Sequence, residues 1–339
     1  MDKNNKICFA LVGYGYWGKN IARNIIENDS CELKYIIDES DESLTKAKDA
    51  YPNSFVSNNL TQVLTDSDVD IVAIVTPPSS HYDLAIKCLN SNKNIFVTKP
   101  LCLESKDAQA LKNIAIKKKL HIFVDDTFLF SEPVNYLKKY IEENSLSNEI
   151  SFIQSSRINL GLMQSDCNVI WDLAPHDIGI INYILDDIPI KVRATGINPF
   201  TNYQYECHST CELVFKNDLH VSLTLSWLSA IKTRRMIIGS NQNTIVYDHL
   251  DTESQIKIFD HSIQHNNVDK DTQFNYQIGE TDIPLLSSSE PLKIEIEAIV
   301  KTLLDNESFP VNINHAITTV KVIEGLNNSL TKKGKFIKL

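Results

Sequence analysis

Three groups of residues in this 339-residue sequence have types and spacings that could do chemistry. Gly13, Gly15 and Gly18 form G-x-G-x-x-G, and Asp38 follows about twenty residues later. Glycines so spaced allow a tight turn, close approach of the backbone to a pyrophosphate, and close helix–strand packing. Asp38 stands where an acid accepts hydrogen bonds from an adenosine ribose. A carboxylate there repels a 2′-phosphate, so the pattern favours NAD over NADP. Thr76 and Lys99 each follow an apolar run, at strand ends where an open parallel sheet binds ligands. Asp172 and His176 are one helical turn apart and would share a helix face. A carboxylate at the start of that helix is favoured by the dipole and available to a ligand. The same spacing suits an N-capping aspartate beside a core histidine, and spacing alone leaves both open.

The elements that must hold these residues follow from periodicity. An apolar strand over 7–12 leads through the glycines into a helix over 17–27 and a second strand ending at Asp38. VDIVAIV, residues 69–75, lacks alternation, as a parallel strand covered on both faces does. A helix with Leu84, Ala85, Cys88 and Leu89 inside, a strand over 94–97, a helix over 105–118 and a strand over 120–124 continue the alternation. The basic run Lys117 to Lys119 reads as the solvated end of that helix. This half is a doubly wound parallel sheet of the Rossmann type.

Past residue 125 the pattern changes. A helix through Val134, Leu137 and Ile141 precedes a half-exposed strand over 149–159 and a helix over 172–185. Pro175 suits only a first turn, which places Asp172 at that helix start. Alternating segments over 190–195, 205–215, 219–228, 235–239 and 244–247 then predict a large, mostly antiparallel open sheet. Lys216-Asn217-Asp218 reads as a hairpin turn, 248–286 as a polar loop excursion, and 292–304 and 313–330 as closing helices. The division expected is a dinucleotide-binding domain over 1–124 and an α+β substrate domain over 125–339. The open sheet has a broad face to cover, so a homodimer or homotetramer through it is expected.

Composition narrows the function classes. A net charge of −10 argues against nucleic acid as a bulk electrostatic partner. No stretch approaches eighteen uninterrupted apolar residues, so no membrane span is expected, and the N-terminus lacks a signal-peptide pattern. The seven cysteines lie scattered in apolar segments and read as reduced core residues of a cytoplasmic protein. In a strand, Cys207 and Cys211 face away from His208, so no metal site is expected there.

At this point the motifs form a recognisable set. VGYGYWGKNIARN, VTPPSSHYDLAIKCLNSNKNIFVTKPL and NLGLMQSDCNVIWDLAPHDIGI together resemble the Gfo/Idh/MocA family of nicotinamide-dependent sugar and inositol oxidoreductases. RRMIIGSNQNTIVYDHL is similar to a later strand pair of members acting on nucleotide-linked sugars. The resemblance runs nearly end to end. It implies that Lys99 is the active-site lysine of a Glu-Lys-Pro motif, completed by Asp172 and His176. It implies a cofactor lined by Gly13, Tyr14, Gly15, Tyr16, Trp17, Gly18, Asp38, Thr76, Pro77, His81, Thr98 and Lys99. Arg157, Asn159 and Arg234 join Lys99, Asp172 and His176 as candidate substrate contacts, because arginine suits a substrate diphosphate. Thr98 departs from the pattern by standing where the family has glutamate, which removes a charge beside Lys99. The activity implied is NAD-dependent oxidation or reduction at a ring carbon of a nucleotide-activated sugar, with C3 the carbon suggested. The alternatives are an inositol-type dehydrogenase of free polyols and a non-catalytic NAD-binding regulator.

Overall fold

The computed structural model describes residues 6–268 and 271–339. These fall into two units, one of residues up to Phe130 with Ser289–Lys321, the other of Ser131–Ser288 with Val322–Leu339.

The first unit alternates strand and helix. Its elements are β1 (Ile7–Val12), α1 (Tyr16–Glu27), β2 (Cys31–Ile37), α2 (Asp41–Ala50), β3 (Phe55–Ser57) and α3 (Leu60–Thr65), then β4 (Ile71–Ile74), α4 (His81–Asn90), β5 (Asn94–Thr98), α5 (Ser105–Lys118) and β6 (Ile122–Asp125). All strands pair in parallel in the order β3-β2-β1-β4-β5-β6. Every residue of β1 and β4 is buried, which is why these runs show no alternation. The order reverses between β1 and β4, so the crevice for a ligand opens where Gly13 and Thr76 leave their strands. Lys119 ends α5 in a left-handed conformation, with Lys117 and Lys118 in the last turn.

The second unit starts with α6 (Glu132–Glu143), β7 (Ile150–Leu160) and α7 (Val169–Leu185). Strands β8 (Lys191–Ile197), β9 (His208–Val214), β10 (His220–Ser226), β11 (Leu228–Ser240), β12 (Thr244–Asp248), β13 (Ile256–Val268) and β14 (Asp271–Asp282) follow. After them come α8 (Pro291–Asp305), α9 (Ile313–Thr331) and β15 (Ile337–Lys338). The nine-stranded sheet has the order β14-β13-β12-β11-β7-β10-β9-β8-β15, and among the described residues only β7 and β10 pair in parallel. Helix α7 packs on β7, β9 and β10.

The structure differs from the sequence reading in three places. The segment 248–286, expected as loop, holds the long β13–β14 hairpin, with 269–270 outside the described residues. Its backbone is satisfied by ladder bonds, while Ile263, Tyr276 and Ile278 stand exposed, so burial left no periodic signature. Second, the chain returns to the first unit after the hairpin, so a single cut after 124 does not describe it. Leu292, Ile296, Ile299 and Val300 of α8 enter the core formed by Ile21 and Ile25 of α1 and by β1. Burying each such side chain is worth about 1.5–3 kcal/mol, more than a surface helix would gain elsewhere. Third, α7 begins earlier than Pro175 suggested. Asn168 caps it, its Oδ1 accepting from the amides of Ile170 and Trp171 at 3.2 Å each. Pro175 therefore lies inside the helix, and Asp172 sits in the first turn rather than at the cap.

Candidate active site

The first unit builds the cofactor half around the turn from β1 to α1. Gly13 has φ of +98°, and a Cβ there would meet the Val75 carbonyl oxygen at 2.2 Å. A Cβ on Gly18 would meet the Gly13 carbonyl oxygen at 2.1 Å, so this glycine lets α1 lie against the turn. Gly15 is different: nothing lies within 4 Å of its Cβ position, leaving open space over the backbone. It is also the N-cap of α1, with no side chain capping it and no acid in the first turn. A helix start of this kind suits a pyrophosphate. Tyr16 is exposed there. The Tyr14 ring is buried edge-on against Tyr51, centroids 6.1 Å apart.

Asp38 closes the same turn. Its Oδ2 accepts from the Tyr14 amide at 2.6 Å and its Oδ1 from the Ser40 amide at 2.8 Å. The carboxylate is thereby fixed by main chain, ready to accept from a ribose. Asp38→Ala is expected to weaken NAD binding by about tenfold or more, the loss of one charge-assisted hydrogen bond, and to narrow the NAD to NADP ratio. Calorimetric titration with both dinucleotides checks this, and an unchanged ratio would count against the ribose role.

The ends of β4 and β5 supply the next residues. Thr76 Oγ1 lies 2.7 Å from Ser80 Oγ in the turn that Pro77 begins. His81 was expected to line the cofactor; instead it is fully buried. Its Nδ1 lies 2.8 Å from the Pro100 carbonyl and its Nε2 2.8 Å from the Thr76 carbonyl, so the ring ties the two strand ends together. Thr98 Oγ1 lies 3.4 Å from both the Ile74 carbonyl and His81 Nε2, at the end of β5. Lys99 is half-buried on the turn that leaves β5.

In the second unit, α7 and the sheet face beneath it carry the remaining candidate residues. Asp172 and His176, both half-buried, lie one turn apart on α7. The Trp227 indole donates to Asp172 Oδ2 at 2.8 Å and holds that carboxylate in one rotamer. Asp177 points elsewhere. It accepts from Arg157 Nε at 2.6 Å and from Ser155 Oγ at 2.8 Å, all three groups being buried. Arg157, a candidate phosphate ligand by sequence, is thus committed to joining β7 to α7. Asn159 lies further along β7, half-buried on the Arg157 face. Arg234 stands opposite Arg157 in the β7–β11 ladder and is half-buried. Arg235 pairs with exposed geometry to Asp248 at 2.7 Å, on the other face.

Two residues that sequence reasoning missed adjoin this cluster. Tyr247 is buried, and its hydroxyl lies 3.4 Å from His249 Nδ1. Burial, reinforced by the charges of Arg234, Arg157 and Lys232, pushes the His249 imidazole down to about 4. At neutral pH it is an uncharged hydrogen-bonding group beside arginines. Both lie in the stretch RRMIIGSNQNTIVYDHL, but nothing in their spacing singled out these two side chains.

Residues 7–126 match the family model described as an oxidoreductase family with an NAD-binding Rossmann fold. Residues 163–245 match the model of the GFO/IDH/MocA C-terminal domain. An uncharacterized oxidoreductase of Streptococcus pneumoniae serotype 4 is 22% identical over 202 residues, 56% of this chain and 53% of that protein. UDP-N-acetylglucosamine 3-dehydrogenase of Acidithiobacillus ferrooxidans is 26% identical over 137 residues, 40% of this chain and 42% of that one. The chain thus aligns with about half the length, or less, of these curated relatives. A solved structure of the same enzyme, GnnA, superposes with a TM-score of 0.78 at 18% identity, covering 97% of this chain and 99% of its own. GenD2 from gentamicin A biosynthesis, in complex with NAD, superposes with a TM-score of 0.83 at 15% identity, covering 100% and 98%. At such identities the superpositions establish the fold.

Proposed function

Since this chain belongs to the Gfo/Idh/MocA oxidoreductase family, we propose that it moves a hydride between a nicotinamide dinucleotide and a ring hydroxyl or ketone of a sugar. The observation that carries the reading is the α7 pair, Asp172 held by Trp227 with His176 one turn on. A capping role for Asp172 would leave no reason for that bond, because Asn168 already caps the helix. Bound dinucleotide would supply the hydride acceptor, or the donor in the reverse direction. His176 takes the hydroxyl proton as the carbon–hydrogen bond breaks and returns it in reduction, as an imidazole near working pH can. The Lys99 ammonium donates to the reacting oxygen and stabilises the charge that develops on it. Asp172 accepts from a sugar hydroxyl and orients the ring.

NAD is the dinucleotide we propose, on the strength of Asp38. For the sugar we propose a nucleotide-activated one, because the chain resembles a UDP-N-acetylglucosamine 3-dehydrogenase in sequence and fold. Arg234, with the neutral His249 and Tyr247 beside it, is the polar surface that would meet such a substrate. NADH absorbance at neutral pH, followed with UDP-N-acetyl sugars, related uronates and free inositols, tests the reading. Turnover is expected with the first or second class. Turnover of inositols alone would replace the substrate, and tight NAD binding without any turnover would replace the activity by a regulatory role.

No helix among the described residues is long and apolar enough to cross a membrane. Exposed Phe152, Leu160 and Ile231 of the large sheet fit association with a second copy through that sheet. Light scattering at micromolar concentration should give at least twice the chain mass.

A further inference from the structure

One buried acid has no place in the chemistry above. Glu295, on α8, is fully buried. No hydroxyl or cationic side chain among the described residues reaches either of its oxygens in hydrogen-bonding geometry, and the donor beside it is the Asp126 backbone amide. Its neighbours are themselves acids, Asp125 at the end of β6 and Asp126 beside it. An ionised carboxylate in that setting would bear the full cost of desolvation plus like-charge repulsion. Asp125, by contrast, is well served. Its Oδ2 accepts from the Trp17 indole at 2.5 Å and its Oδ1 from Thr127 Oγ1 at 2.6 Å. Trp17 stands in the first turn of α1, two residues past the N-cap Gly15.

We propose that Glu295 is a positioning residue for the dinucleotide site: as a neutral carboxylic acid it donates to Asp125, and Asp125 fixes the Trp17 indole and with it the first turn of α1. The chain of bonds runs from α8, through the end of β6, to the helix start that receives the pyrophosphate. It rests on the dinucleotide reading of the glycine turn and not on the identity of the sugar. Burial, then the charge of Asp125 and the hydrogen bond with it, then the charge of Asp126, hold the Glu295 carboxyl well above the ordinary range against the smaller opposing pull of the Asp126 backbone amide. Asp126 in turn faces His315 of α9, whose Nε2 lies 3.9 Å from its Oδ2.

The sign of the pH effect follows. An unfolded glutamate ionises near about 4.3, whereas the folded one keeps its proton. Above that pH the folded state binds more protons, so stability attributable to this group falls as pH rises until the folded carboxyl ionises. Glu295→Gln keeps a neutral donor and removes the titration. Denaturant unfolding of wild type and E295Q between pH 5 and 8 is expected to show their unfolding constants diverging by up to about tenfold per pH unit, with E295Q gaining. A pH-independent ratio would show that Glu295 is already ionised and overturn the proposal. In parallel, E295L fills the volume without a donor. Its dinucleotide Kd, titrated with NAD, is expected to rise about tenfold with a red shift of Trp17 emission, read as the difference from Trp17→Phe, while E295Q stays within about twofold of wild type at pH 6.5. An E295L variant that binds NAD as wild type does would reduce Glu295 to a core filler. If E295L does not fold, Asp125→Asn gives the same two readouts, a weaker Kd and a shifted emission, and their absence would overturn the relay. Because no sugar enters either measurement, failure of the substrate reading leaves the outcome unaffected.

Discussion

Lys99→Met should lower kcat by about two to three orders of magnitude, the loss of one preorganised donor to a developing oxyanion, about 2.7–4 kcal/mol. Methionine keeps most of the aliphatic stem, so packing on the turn after β5 changes little and the ammonium is what disappears. The dinucleotide Kd should move far less than kcat, because the contacts proposed for the cofactor are the glycine turn and the Asp38 carboxylate that backbone amides fix, not the lysine. Lys99→Arg is not a rescue, since a planar guanidinium cannot occupy the position of a compact ammonium. Thr98 adds a contrast. A threonine carries no carboxylate to set beside the lysine, so Thr98→Glu is expected to shift the pH profile of kcat rather than abolish it. Pre-steady-state and steady-state NADH traces separate the two effects. A Lys99→Met enzyme within fivefold of wild-type kcat would remove the lysine from the chemistry.

How much of this was legible in the sequence depends on how local each signal is. The glycine turn is dictated by sterics within a few residues, and Gly13 at positive φ against the Val75 carbonyl is what the spacing foretold. Buried parallel strands such as β1 and β4 announce themselves as unbroken apolar runs. The β13–β14 hairpin did not, because exposed side chains such as Tyr276 and Ile278 on polar strands give no buried face to read. Pro175 misled for a different reason. A proline is most at home in a first turn, yet the double acceptance by Asn168 starts α7 earlier and leaves the proline inside it. Side-chain partners were the least legible. Trp227 is 55 residues from Asp172, and Arg157 is 20 from Asp177, separations that only the folded sheet closes. The same holds for His81, whose role in clamping two strand ends looks, in sequence, like an ordinary first-turn residue of a helix.

The second large effect concerns stability and the Arg157–Asp177 pair. Both side chains are about 4% exposed, so water screens neither. Asp177→Ala should destabilise the second unit by about 3–5 kcal/mol, because a buried guanidinium loses its carboxylate and Ser155 Oγ is left with the longer 3.4 Å bond to the Arg235 carbonyl. An exposed pair such as Arg235–Asp248, with Arg235 about half exposed, should give at most about 1 kcal/mol on the same deletion. Urea midpoints at constant m measure both. The cost reflects an uncompensated charge more than the worth of the pair, so the double variant Arg157→Leu with Asp177→Leu should recover most of the loss. Activity supplies the further discrimination. Asp177 adjoins His176 on α7, and Arg157 stands opposite Arg234, so the double variant should fold well yet raise KM as α7 loses its fixed seat on β7. A double variant with wild-type KM would show that the apolar packing of α7 on the sheet suffices to place Asp172 and His176, and the buried pair would then serve the fold alone.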